Sequence, residues 1–239
     1  MNEPEHIEQK ALEFARKNKK KIACEQTDLG HFPADVDPVS VFMAGSPGAG
    51  KTESSIRLLE QLTRDGHNIL RIDSDELRTL LPGYTGTNSH LFQGATSILA
   101  DAMHDKALVN RQSFIFDGTL TNLARAKQNI QRSLARNRLV QIIYVYQDPI
   151  QAWHFVQARE KRDGRTIPID AFVRQYVTAR KNVDILKQEF EKKIHVDLVV
   201  KNIDGSDFLY RENVSKIDSH VPEKYDEHTL LVQLAETSM

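Results

Sequence analysis

The chain has 239 residues, 40% hydrophobic and 27% charged, enough for one well-buried α/β domain with appendages or at most two small domains. Its 32 Lys and Arg nearly balance 33 Asp and Glu, so no net field draws nucleic acid or an anionic membrane. The single cysteine, Cys24, excludes an intrachain disulfide and a cysteine-rich metal site, and is expected half-buried on an N-terminal helix. The opening MNEPEHIEQK has neither a basic stretch nor an apolar core, and no apolar run approaches the ~18 residues of a membrane span, so a cytoplasmic location is expected.

Residues 4–26 read as a helix whose broad apolar face holds Ile7, Ala11, Leu12, Phe14, Ala15, Ile22 and Ala23. DLGHFPADVDP then reads as an extended linker, so residues 1–38 form an N-terminal helix and linker. The core, residues 39–203, alternates strands at 39–45, 68–73, 113–118, 140–147 and 195–203 with helices near 51–65, 74–81, 90–110, 122–136, 149–162 and 168–192. That alternation predicts an α/β fold of P-loop NTPase type, a parallel sheet of about five strands with helices on both faces. Ligands then sit at the carboxyl ends of the strands. Residues 204–239 read as an extension of the same domain, a hairpin on the sheet edge followed by a closing helix.

The first strand enters Gly45-Ser46-Pro47-Gly48-Ala49-Gly50-Lys51-Thr52, the G-x-x-x-x-G-K-[ST] phosphate loop. The glycines let backbone N–H groups close around phosphate oxygens, the helix N-terminus favours the anion, Lys51 reaches the outer phosphates and Thr52 offers its hydroxyl to Mg²⁺. The following helix has Ile56, Leu59 and Leu62 at helical spacing. Strand, loop, lysine, threonine and helix in that order predict binding of a nucleoside triphosphate.

The second strand ends in RIDSDELR. Asp73 or Ser74 is read as a helix cap and Asp75, two residues past the strand end, as the base that accepts an acceptor hydroxyl's proton. Arg78 either pairs with Asp75, contacts an anionic substrate or lies on the surface. On the helix before the third strand, Asp101 and Asp105 flank a core stripe and by themselves mark its solvated edge. The third strand ends in Asp117-Gly118-Thr119, where an acidic residue supports Mg²⁺ opposite the loop threonine. Arg159, Lys161, Arg162 and Arg165, punctuated by Gly164 and Pro168, read as a cationic segment that closes over phosphates, or as a solvated basic helix end. Trp153 and His154 read as packing residues, and the nine histidines show no zinc-ligand spacing.

MAGSPGAGKT, IDSDELR with PGY, FDGT and AREKRDGRTIP together resemble the zeta-toxin kinases over roughly residues 36–190. The resemblance implies a kinase that uses ATP and Mg²⁺ to phosphorylate the 3′-hydroxyl of the amino sugar in UDP-N-acetylglucosamine, and is often restrained by an antitoxin. It implies phosphate and magnesium contacts at Lys51 and Thr52, the base at Asp75, an ATP clamp at Arg159 and Arg165, and a sugar-nucleotide contact at Asp101. Thr119 matches the family's Glu-Gly-Thr element, in which Asp117 here is one methylene shorter than the usual glutamate. A substrate-binding threonine of the family aligns with Asn129. The N-terminal helix either packs on the core or covers the nucleotide site in cis, as an antitoxin helix does. The alternatives are a kinase on this scaffold for another nucleotide, sugar or antibiotic hydroxyl, or a nucleotide-dependent ATPase switch. The neutral charge balance disfavours a polynucleotide kinase.

Overall fold

The computed structural model describes residues 3–64, 66, 68–222 and 224–237. The strands are β1 (Val39–Ala44), β2 (Leu70–Asp73), β3 (Phe114–Asp117), β4 (Leu139–Tyr146), β5 (His195–Lys201) and β6 (Asp207–Arg211). They form one sheet in the order β2-β3-β1-β4-β5-β6. The five predicted strands are parallel; the sixth, β6, runs antiparallel on β5 with Val199 opposite Tyr210. The hairpin on the sheet edge is therefore a return from β5 through Asn202–Ser206, and it brings the sheet to six strands.

Among the described residues eight α-helices accompany the strands: α1 (Glu3–Gln26), α2 (Lys51–Arg64), α3 (Ser74–Thr79), α4 (Gln93–Val109), α5 (Leu123–Leu134), α6 (Pro149–Asp163), α7 (Ile169–Phe190) and α8 (Glu227–Thr237). No helix among the described residues is long and apolar enough to cross a membrane. The two faces of the sheet are covered unequally. Alternate residues of β1 and β4, such as Phe42, Ala44, Ile142 and Tyr144, point into a large core shared with α1, α4 and α7. The other set, Val41, Met43, Ile143 and Val145, packs under α2 through Leu58 and Leu59. This is the period-two alternation of a strand buried on both sides. Ile56 is 43% exposed, so the buried side of α2 is Ser55 with Leu58 and Leu59, not the predicted Ile56 stripe.

Helix α1 lies along α4 and buries Ala11, Ala15, Ile22 and Ala23. The approach is close: a Cβ on Gly94 of α4 would come within 3.1 Å of the Leu12 side chain. Small residues on both helices allow that distance. Cys24 is exposed, not half-buried as expected, because it lies outside this seam.

Candidate active site

A cavity of about 870 Å³ opens at the carboxyl ends of the parallel strands. The phosphate loop, the β2–α3 junction, the end of β3, the last turns of α6 and the Asp204–Gly205 turn all line it. The loop can lie where it does only with glycine at two points. Gly45 has φ +137°, and a Cβ there would stand 2.4 Å from the Val145 carbonyl oxygen. Gly48 has φ +72°, and its Cβ would fall 2.1 Å from the Ala152 carbonyl oxygen of α6. The loop is thus wedged between β4 and α6, with Pro47, Gly48, Ala49, Gly50, Lys51 and Thr52 on the cavity wall and Gly45 and Ser46 buried beneath. Lys51 Nζ donates to the Ser46 carbonyl oxygen at 2.7 Å. Burial pushes its ammonium down to about 8, against the opposing pull of Asp117 and Asp75.

Asp73 caps α3: its Oδ1 accepts from the Asp75 backbone N–H at 2.7 Å. Asp75 is thereby aimed into the cavity, where three guanidinium groups hold its carboxylate. Arg78 reaches Oδ1 at 2.8 Å, Arg159 reaches Oδ2 at 2.7 Å, and Arg165 also pairs with Oδ2. Burial raises the Asp75 carboxyl, but Arg165, Arg159 and Arg78 outweigh it and hold it at about 2. Asp73, two residues earlier, moves the other way. Burial and the neighbouring Asp117 push it up to about 6 despite Arg71. Two elements far apart in sequence meet here. The cap sets Asp75, and α6, itself started by Asp148 and Pro149, ends at Gly164 (φ +71°) so that Arg159 and Arg165 arrive opposite.

Asp117 lines the cavity together with Thr52. Its Oδ2 accepts from Ser55 Oγ at 3.0 Å and from Arg71 at 2.7 Å. A hydroxyl and a carboxylate are hard oxygen donors of the kind Mg²⁺ takes, with phosphate and water completing the shell. Among the described residues no group of three His, Cys, Asp or Glu is placed to hold a metal.

Arg78 and Thr119 also line the cavity. Asp101 and Asn129 do not. Asp101 faces Arg125 of α5 in an ion pair, and Asn129 is buried inside α5. Nor does α1 reach the cavity; it takes the packing alternative, against α4. His154 is exposed and therefore is not the packing residue expected, whereas Trp153 is buried against Phe172. Sequence reasoning passed over Arg71, whose signal was its spacing: two residues before Asp73 on a strand puts both on one face. It also passed over Ser89, His90, Gln93 and Gln147 on the wall, which carry no motif.

The zeta toxin family model matches residues 23–215. No curated protein sequence matches the chain. Among solved structures, the PezAT chromosomal toxin-antitoxin system of Streptococcus pneumoniae aligns over 93% of this chain and 93% of its own, at 18% identity and TM-score 0.64. The AvrRxo1-ORF1:AvrRxo1-ORF2 complex with sulphate ions aligns over 90% of this chain and 70% of that one, at 17% identity and TM-score 0.60. The same complex with ATP aligns over 86% and 66%, at 18% identity and TM-score 0.58. These likenesses concern the fold. The family match spans the phosphate loop, the Asp75 junction and the Arg159–Arg165 segment, the parts that build the cavity, and with it the chain belongs to the zeta toxin family.

Proposed function

We propose that this protein is an ATP- and Mg²⁺-dependent kinase that transfers the γ-phosphoryl group to the 3′-hydroxyl of the amino sugar in UDP-N-acetylglucosamine or a related UDP-sugar. The observation that carries the reading is the meeting of Asp75 with Lys51, Arg159 and Arg165 around one cavity. A carboxylate among cations at the mouth of a phosphate loop is what transfer to an alcohol needs.

Lys51 and the loop N–H groups hold the β- and γ-phosphates. Thr52 and Asp117 would hold Mg²⁺, which would supply neutralisation of phosphate charge. Arg159 and Arg165 leave Asp75 for the phosphoryl oxygens, where they stabilise charge in the transition state. Asp75 then takes the proton of the acceptor hydroxyl as its oxygen bonds to the γ-phosphorus and the bridging P–O bond to ADP breaks. Arg78 stays on Asp75 and orients it, and Thr119 contacts the acceptor.

A second reading, transfer to a different nucleotide, sugar or antibiotic hydroxyl, is favoured by Asp101 and Asn129. These two would contact the UDP-sugar by resemblance, yet they lie off the cavity wall. A restraining antitoxin is the expected partner, since one of the similar structures is a toxin-antitoxin system.

The test is incubation of the protein with ATP, Mg²⁺ and UDP-N-acetylglucosamine, followed by mass spectrometry. A product heavier by one phosphate that disappears with Lys51→Ala supports the first reading. ATP binding without that product, and a product from another acceptor in a panel, supports the second.

A further inference from the structure

Arg71 belongs to no motif, yet it is the most heavily engaged side chain beside the cavity. It projects from edge strand β2 with only 9% of its side chain exposed. The parallel register sets Asp73 of β2 against Asp117 of β3, so two buried carboxylates stand side by side. Arg71 bridges them: one guanidinium nitrogen lies 2.7 Å from Asp117 Oδ2 and also pairs with Asp73 Oδ2. Its second terminal nitrogen pairs with Glu76. Its Nε donates at 3.1 Å to Ser55 Oγ, on the first turns of the helix that the phosphate loop begins. One planar fork therefore ties the loop helix, the β2–α3 cap and the acidic end of β3 together, a geometry an ammonium cannot reproduce.

The consequence lies on Asp117. Its Oδ2 accepts from Arg71 and lies 3.0 Å from Ser55 Oγ, whose one proton it shares with the Thr52 carbonyl oxygen at 2.9 Å, while Oδ1 makes no hydrogen bond among the described residues. A carboxylate held this way offers a cation one oxygen and cannot rotate to chelate with both. Mg²⁺ accepts that arrangement, since it takes one or two single carboxylate oxygens and keeps several waters. Ca²⁺ favours six to eight oxygens, with carboxylates often bidentate.

The geometry points to Arg71 as a positioning residue that holds Asp117 to one-oxygen coordination and so sets the preference of the site for Mg²⁺ over Ca²⁺. This rests on the kinase reading, in which Thr52 and Asp117 hold the nucleotide's metal. Outer contacts of this kind typically change metal affinity by about 10- to 100-fold when removed.

The experiment is calorimetric titration of ADP without metal, with Mg²⁺ and with Ca²⁺, on the full chain and on Arg71→Met, Arg71→Lys and Ser55→Ala. In Arg71→Met and Arg71→Lys the Mg²⁺ enhancement of ADP affinity is expected to fall about tenfold while metal-free ADP affinity stays within about twofold. The ratio of Ca²⁺ to Mg²⁺ enhancement rises as Asp117 becomes free to chelate. Ser55→Ala removes the shared hydroxyl contact to Oδ2 and leaves no unpaired charge; it gives a smaller shift in the same direction, and it decides the matter if the arginine variants fail to fold. An unchanged Ca²⁺-to-Mg²⁺ ratio, or equal losses with and without metal, overturns the assignment. Failure of the unaltered protein to bind ADP at all overturns the kinase reading, and this inference with it.

Discussion

Arg159 and Asp75 lie 84 residues apart in sequence and 2.7 Å apart in the fold. The residue that by resemblance should grip phosphate instead grips the carboxylate that should take the proton. With Arg165 on the same oxygen and Arg78 on the other, three of the roughly four lone-pair sites of Asp75 are taken, and Oδ2 is freed for an acceptor only when a more highly charged anion draws Arg159 and Arg165 away.

Replacing Asp75 with Asn should separate the two tasks. Phosphoryl transfer is expected to fall by about 10³-fold, within the range that a positioned base supplies. Nucleotide affinity should rise, because Arg159 and Arg165 lose a competitor. Two partly exposed ion pairs of ~0.5 kcal/mol each correspond to roughly a fivefold gain. Turnover by mass spectrometry together with calorimetric titration of ADP checks both parts, and unchanged turnover would remove Asp75 from the base role.

Asp75 and Asp73 should leave opposite marks on stability against pH. Asp75 titrates at about 2 in the folded chain against 3.8 when free, so the unfolded chain binds more protons between those values. Its contribution, on the order of 2 kcal/mol, is present above pH 4 and is lost as pH falls towards 2. Asp73 titrates at about 6, so it is the folded chain that binds the extra proton, and stability declines as pH rises from 4 to 6. Urea unfolding from pH 2 to 7 should show a slope of each sign. Asp75→Asn should flatten the acid limb, and the limb set by Asp73 should move to lower pH because Asp75 helps to raise it.

Gly48→Ala should destroy the phosphate loop. The added methyl would collide with the Ala152 carbonyl at a positive φ, at an expected cost of about 2–4 kcal/mol and with loss of nucleotide binding. Gly66→Ala is the control. It also has positive φ, +84°, but nothing within 4 Å of the new methyl, so it should cost only about 1 kcal/mol and leave nucleotide binding intact. Thermal melts with and without ADP distinguish the two.

His104 is fully buried among Phe42, Phe114 and Phe116, and neither ring nitrogen finds a hydrogen-bond partner among the described residues. Burial, with Arg132 and Arg138 nearby, keeps the imidazole neutral down to about pH 3. His104→Phe removes two stranded polar atoms and keeps the edge-to-face ring contacts. A stability gain of about 1 kcal/mol is expected, read as a higher melting midpoint.

The sheet was legible because strands buried on both faces leave near-continuous apolar runs, as VSVFMA and LVQIIYVY do. The phosphate loop was legible because glycine, lysine and threonine at that spacing have few other uses. Asp75 and its cap could be placed because a strand end followed at once by a helix start fixes where two successive residues face. The partners of that carboxylate were harder to foresee. Whether Arg159 and Arg165 meet Asp75 depends on where α6 ends relative to α3, a tertiary fact that local pattern does not carry. Arg71 was passed over for a related reason: its spacing put it on the face of Asp73, but its bond to Asp117 depends on the β2–β3 register. Ile56 misled because an apolar side chain at helical spacing is not obliged to face the core when Leu58 and Leu59 already do.

The strand that bears Arg71 and Asp73 is also an open border of the sheet. Borders of this kind invite a second molecule to add its own strand, and proteins discourage it by keeping them short and charged. β2 has four residues, two of them ionised and committed to neighbours on their own chain. A border strand this short, with its two ionised side chains committed to their own chain, is of the kind that resists sheet-to-sheet association. A substitution that neutralises Arg71 should be watched for self-assembly as well as for altered metal preference.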